Sequence, residues 1–311
     1  MEKKSTIHLK LLRMKLILSL ARLHFLVLGF LLYLLGYLIA IQAGTQHNLT
    51  KFMFGYIVFG TAHLSVSFSN NYFDQQADKN SYQTPFSGGS KVLDKYPELQ
   101  KTTLNIAIAL LLTSLITNII FTITYNYTIL FTIFVVTGGL LGYFYSANPI
   151  KLSYRGLGEI ATMLGVGLFM TGMGYFVAQG QLDNNFFIFG IPLTIYGLFF
   201  IITVELPDKK SDKLANKKTL VVKYGEKPAK QIAFLATLTA TIYFIMMATL
   251  KIAYSTIDWA PFITFSILPL FASLISIIKD RNNQESLTKQ VMLNITSLTL
   301  FVTLSIGSLL I

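Results

Sequence analysis

Two pairs of aspartates, each with a four-residue spacing, are the side chains here whose arrangement most directly implies chemistry. The first lies in Asn70-Asn71-Tyr72-Phe73-Asp74-Gln75-Gln76-Ala77-Asp78, the second in Glu205-Leu206-Pro207-Asp208-Lys209-Lys210-Ser211-Asp212. On a helix, that spacing puts both carboxylates on one face. Like charges so placed repel, and the partly negative C-terminal end of a helix adds to the cost. Two such pairs facing one another need cations. Carboxylate oxygens suit Mg2+, which keeps waters and takes phosphate oxygens as further ligands. The chemistry implied is a diphosphate clamped between two acidic pairs through Mg2+. Asp74 precedes Asp208, and Asp78 precedes Asp212, by the same interval, as expected of an internal repeat whose halves each contribute one pair.

The surroundings suit an anion. Lys79 and Lys91 follow the first pair, and Lys209, Lys210, Lys213, Lys217 and Lys218 surround the second. Lys151 and Arg155 lie in Tyr145-Ser146-Ala147-Asn148-Pro149-Ile150-Lys151-Leu152-Ser153-Tyr154-Arg155. Arg22 stands near the start of an apolar run, where a charge needs a partner.

The elements that must hold these residues are membrane helices. The chain has 311 residues, 53% of them hydrophobic and 13% charged, against about 25% charged in a soluble domain. Its apolar residues come in runs long enough for a helix to cross a hydrocarbon core of roughly 30 Å. In lipid, backbone groups are satisfied only by helices or closed barrels, and the runs are too long and continuous for barrel strands. The expectation is an all-α integral membrane protein of nine transmembrane helices, over 18–42, 52–70, 103–124, 127–146, 157–178, 186–206, 232–250, 259–278 and 290–311. The acidic motifs then follow helices two and six.

Charge tests that count. With the N-terminus cytoplasmic and the C-terminus outside, 23 of the 25 Lys and Arg residues fall on the cytoplasmic side, leaving Lys51 and Lys251 outside. Both long loops, 70–102 and 207–231, are then cytoplasmic. The net charge of +11 is explained by topology rather than by nucleic-acid binding. Residues 1–15 read as a basic cytoplasmic tail, and the whole chain as one membrane domain. The first apolar run is too long for the core of a signal peptide. Absence of cysteine excludes disulfides and thiolate metal sites. His63, within the second span, reads as a packed or hydrogen-bonded histidine; His8, His24 and His47 show no metal-ligand spacing, and Gly138-Gly139-x-x-Gly142 and Gly165-x-Gly167 read as close helix packing.

Asn70-Asn71-Tyr72-Phe73-Asp74-x-x-x-Asp78 resembles the Asn-Asp-x-x-Asp-x-x-x-Asp signature of the UbiA-type intramembrane prenyltransferases. Asp208-x-x-x-Asp212, followed by Lys218-Thr219-Leu220 and Lys223-Tyr224-Gly225, resembles their second motif and its tail. Ser87-Gly88-Gly89-Ser90 and Tyr154-Arg155-Gly156-Leu157-Gly158-Glu159 resemble stretches of the menaquinone-branch members. The chain departs from the pattern at Asn71, where Asp is usual, at Val204, where Asn is frequent, and at Asn216, where Gly is usual.

The resemblance implies Mg2+-dependent transfer of a polyprenyl group from an isoprenoid diphosphate to an aromatic acceptor, inside the cell membrane and toward the cytoplasm. Asp74, Asp78, Asp208 and Asp212, with Asn70, are then the metal ligands. Asn70, Asn71, Arg22, Lys79, Lys91, Tyr145 and Lys218 are substrate-binding candidates, and Lys151 and Arg155 orient diphosphate or acceptor. Residues 79–101 form a lid. Tyr143, Phe144, Tyr145, Phe169 and Tyr175 are available to shield a carbocation. The stretches shared with the menaquinone branch favour 1,4-dihydroxy-2-naphthoate as acceptor. The alternatives are 4-hydroxybenzoate, homogentisate, a porphyrin-type ring or an archaeal glycerol-phosphate lipid. A transporter would hold its charges near the bilayer midplane; here they gather at one face. Neither nucleic acid nor an obligatory protein partner is expected.

Overall fold

A computed structural model of the protein describes residues 2–250, 257–279 and 283–311, and every regular element among them is helical. The principal helices are α1 (Glu2–Ala21), α2 (Leu23–Gln42), α3 (Leu49–Phe73), α4 (Gln100–Thr124), α5 (Ile129–Tyr143), α6 (Gly158–Gln179), α7 (Asn184–Glu205), α8 (Glu226–Thr249), α9 (Ala260–Ile278) and α10 (Gln284–Leu309). Among the described residues eight helices are long and apolar enough to cross a membrane, namely all of these except α1 and α5. Met1 and Lys251, assigned above to the tail and to an outer loop, lie outside the described residues.

Two sequence expectations change. The span expected over 127–146 is a helix of only 15 residues, Ile129–Tyr143, or roughly 22 Å at 1.5 Å per residue. The chain leaves the helix early to build the loop that reaches the acidic pairs. The first span does not run unbroken from residue 18. Arg22 adopts a left-handed conformation (φ 46°), separating α1 from α2. That conformation costs a non-glycine residue roughly 1 kcal/mol or more, and here it delivers the guanidinium to the polar end of a cavity.

The helices close a ring. α2 packs on α6, α6 on α7, α7 on α8, α8 on α9 and α9 on α10, and α10 returns to α2; α3 packs on α2 and α4. Small residues allow the closest approaches. A Cβ at Gly36 on α2 would run into the Thr171 carbonyl on α6, and one at Gly174 on α6 would run into the Tyr33 carbonyl on α2. At Gly167 it would meet the Thr194 backbone of α7, and at Gly142 the Val66 side chain. The packing role read for Gly142 and Gly167 is thus realised, whereas Gly165 touches nothing and faces the cavity. α6 widens to a π-turn over Gly165–Met170. Buried aromatic rings, among them Tyr33, Phe121, Phe131, Phe189, Phe244 and Phe301, fill the spaces between helices.

Candidate active site

Asp74 terminates α3 and opens the short helix Gln75–Lys79, its N–H still donating to the Asn70 carbonyl at 2.9 Å. Pro207, which lacks an N–H, follows the end of α7, and Asp208 opens the matching short helix Lys209–Leu214. Helical hydrogen bonds link the members of each pair: Asp78 N to Asp74 O and Asp212 N to Asp208 O, both 2.8 Å. The two short helices pack against each other. The acidic pairs, far apart in sequence, therefore meet.

A lysine stands between them. Lys217 Nζ lies 3.5 Å from Asp74 Oδ2 and 3.5 Å from Asp212 Oδ1, with all three side chains nearly buried. Asn216, left-handed at φ 60°, makes the turn that brings it there, and Lys217 N donates to Asp212 O at 2.9 Å. Asp74 also accepts from Ser146 Oγ at 2.5 Å and from the Tyr154 hydroxyl at 2.8 Å. Asp208 Oδ2 accepts from Gly88 N at 3.1 Å. Gly89 approaches Asp78 so closely that a Cβ would strike its carboxylate. Phe86 from the same loop packs edge-on to Phe25 at the start of α2, so residues 86–89 cover the acidic end.

Burial governs the electrostatics. It pushes the Asp78 carboxyl up to about 7, with the Asp74 charge adding to the effect. It pushes Asp208 up to about 8, reinforced by Asp212 and Asp78, and it raises Asp212. For Lys217, burial opposes the charge, but Asp74 and Asp212 outweigh it and hold the ammonium well above the ordinary lysine value. Burial lowers Arg22, opposed by Asp78, Asp208 and Asp74. A single buried ammonium and one guanidinium against four aspartates leave the site short of positive charge.

The carboxylates line one end of a cavity of about 360 Å3, shared with Arg22, Asn70, Asn71, Tyr145 and Lys217. Its other walls are largely apolar, with Phe25, Phe59, Phe134, Phe169, Leu193 and Val302 among them. Asp208 Oδ1 and Asn70 Oδ1 are buried there with no hydrogen-bond donor. The donors are all oxygen, as a hard divalent cation requires. Among the described residues no group of three such ligands converges on one point as it stands, Lys217 holding the space between Asp74 and Asp212.

Several basic candidates do not reach this cavity. Arg155 is exposed and donates to the Pro149 carbonyl at 2.9 Å. Lys151 lies over the Tyr154 ring at 4.9 Å. Lys91 is folded back into its own loop, on the Ser81 and Asp78 carbonyls. Lys79 and Lys218 are exposed, and it is Lys217, the neighbour of Lys218, that the left-handed Asn216 turns inward. Of the aromatic candidates, Tyr145 and Phe169 line the cavity, whereas Tyr175 is buried elsewhere, its hydroxyl on Asp183. Residue-by-residue reading missed the roles of Ser146 and Tyr154. Their signal lies in the Tyr145–Arg155 stretch, where the two charges draw attention and the two hydroxyls make the contacts.

Asn71 has a structural explanation. Its amide donates to Leu20 O at 3.1 Å and Ser67 O at 2.7 Å, and its oxygen accepts from Ser90 Oγ at 2.6 Å. It ties α1, α3 and the covering loop together, and a carboxylate could not make the two donations.

Residues 28–298 match the UbiA prenyltransferase family, most of the chain including both acidic motifs. The chain belongs to this family. The match begins in α2 and runs into α10. A UbiA homologue from Archaeoglobus fulgidus bound to GPP and Mg2+ superposes with a TM-score of 0.61 at 17% identity, over 94% of this chain and all of that one. The apo structure of a homologue from Aeropyrum pernix K1 gives 0.66 at 13% identity, over 91% of this chain and 96% of that one. At such identities these likenesses show the fold. In sequence, the chain is 25% identical to the 1,4-dihydroxy-2-naphthoate octaprenyltransferase of Bacillus subtilis (strain 168) over 134 residues. That match spans 43% of this chain and 42% of the length of that protein.

Proposed function

We propose that this prenyltransferase transfers a polyprenyl group from an isoprenoid diphosphate to an aromatic acceptor in the membrane, with Mg2+ as cofactor and 1,4-dihydroxy-2-naphthoate as acceptor. The observation that carries the reaction is two packed acidic helices at one end of a cavity whose other walls are apolar. The partial likeness to the Bacillus subtilis enzyme and the Ser87–Ser90 and Tyr154–Glu159 stretches support the acceptor. The lysine-rich loops support a single membrane domain in the cell membrane, with its N-terminus and active site cytoplasmic and its C-terminus outside.

Asp74, Asp78, Asp208 and Asp212, with Asn70, would hold the metal. Bound Mg2+ supplies neutralisation of the charge that develops on the leaving diphosphate. The chain does the rest. Arg22 and Lys217 present positive charge at the cavity's polar end. Ser146 and Tyr154 fix the Asp74 carboxylate, so that it need not reorganise during the reaction. The apolar walls take the prenyl chain and exclude the water that would trap an allylic cation, and Phe169 and Tyr145 offer ring faces to it. The covering loop closes the end through Gly88 on Asp208.

The test is prenyl transfer by the purified protein from a labelled allylic diphosphate, with Mg2+ or EDTA and a panel of acceptors. The expected result is Mg2+-dependent prenylation of 1,4-dihydroxy-2-naphthoate, reduced about 100-fold or more by Asp74→Ala or Asp208→Ala. Product with 4-hydroxybenzoate alone would overturn the acceptor, and Mg2+-independent product would overturn the metal.

A further inference from the structure

The polar end of the cavity has two unlike flanks. On one, Asp78 lies within electrostatic reach of Asp74, Lys217, Arg22 and Lys91. On the other stands Glu205, the last residue of α7, among Glu159, Asp212, Lys217 and Asp208. Glu205 is 5% exposed and lines the cavity, and neither of its carboxyl oxygens meets a hydrogen-bond donor among the described residues. Lys217 forms its ion pairs with Asp74 and Asp212. Glu159 differs: it is occupied, accepting from Leu220 N at 2.5 Å. Of the charged groups acting on the Tyr145 hydroxyl, Glu205 acts most strongly, so the two share one part of the cavity wall.

Leaving a buried carboxyl with two unpaired oxygens is costly, and in native proteins such groups find a donor. A diphosphate cannot supply one, since it carries only acceptors and negative charge; it belongs on the flank that holds Arg22, and the Mg2+ proposed above already has four aspartates and Asn70 to hold it. A phenolic hydroxyl can. We propose that Glu205 is the hydrogen-bond acceptor for a ring hydroxyl of the prenyl acceptor, and that it selects hydroxylated aromatics and turns them toward the donor. This rests on the prenyl-transfer reading above. A site built around a hydrogen bond to a hydroxyl discriminates strongly against analogues that lack it.

The experiment compares the full-length wild type with Glu205→Met in detergent, since methionine keeps the side-chain length and removes the carboxyl acceptor, whereas glutamine would keep one. Steady-state constants are read for 1,4-dihydroxy-2-naphthoate, for its two monohydroxy analogues (1-hydroxy- and 4-hydroxy-2-naphthoate), for geranyl diphosphate and for Mg2+. Calorimetric binding of the same three naphthoates is measured alongside. The expected result is an acceptor KM and Kd raised about tenfold or more in the variant, the size of one buried hydrogen bond. The geranyl diphosphate KM and the Mg2+ half-saturation stay within about twofold. One monohydroxy analogue should show the same loss on the wild type and no further loss on the variant. An unchanged acceptor constant, or a shift confined to Mg2+, overturns the proposal. So does a wild type indifferent to both hydroxyl deletions, a result independent of whether the variant folds. A wild type that binds naphthoates in a hydroxyl-dependent way without transferring prenyl groups would instead overturn the reaction and leave the Glu205 contact standing.

Discussion

Asp74 is the most heavily supported side chain of the site, held by Ser146, Tyr154 and Lys217. Tyr154→Phe removes one of these donors while leaving the ring, and transfer should fall by about tenfold with little change in unfolding temperature. An equal loss of stability would assign Tyr154 to packing instead. Asn71→Asp restores the residue usual in the family, yet it removes two donations and adds a charge beside Asp74. It should destabilise the protein by about 1–3 kcal/mol and lower activity; a gain in Mg2+ affinity at unchanged stability would contradict this account. Asp78 and Asp208 also predict a pH dependence. Their carboxyls rise to about 7 and about 8 from an ordinary 3.8, so between those limits the folded state binds more protons than the unfolded. Stability must therefore fall as pH rises through that window and level off above it. Thermal unfolding in EDTA should show this slope, and Mg2+ should remove most of it.

The helices set the site by the way they end. α3 stops at Asp74 and α7 at Glu205, each is followed by a short helix that an aspartate opens, and α5 stops after 15 residues so that the following loop can bring Ser146 and Tyr154 to Asp74. The α2–α6 seam is equally exacting, because Gly36 and Gly174 each face the other helix's backbone. Gly174→Ala should cost about 1–3 kcal/mol or more, read as a lower unfolding temperature in detergent. Full stability in that variant would mean that the seam is looser than its geometry.

At the scale of the molecule, α2, α3, α5, α6, α7 and α10 line a cavity that is polar at one end and apolar along its length. The cytoplasmic placement proposed for the polar end can be tested directly. The chain has no cysteine, so single cysteines report topology without background. Lys213→Cys, in the short helix after α7, should react with an impermeant maleimide only from the cytoplasmic side, and Gly44→Cys, between α2 and α3, only from the other. The reverse pattern would invert the topology.

The helical membrane class, both acidic pairs and their matched interval were legible from composition and spacing alone, because burial in lipid forces long apolar runs and four-residue spacing sets one helix face. Which charges enter the site was not legible. Lys217 and Lys218 are neighbours of one type, and the left-handed Asn216 decides between them; Arg155 resembles a ligand until its guanidinium is found on Pro149. Arg22 looked like the middle of a helix start and proved to be a break, a strained conformation no propensity foretells. Glu205, three residues before a motif aspartate, carries no signal of its own until the fold buries it beside the cavity with nothing to pair with. Spacing along a chain reports which side chains share a helix face; only packing between helices decides which of them lose water together, and that loss is what makes a charge part of a site.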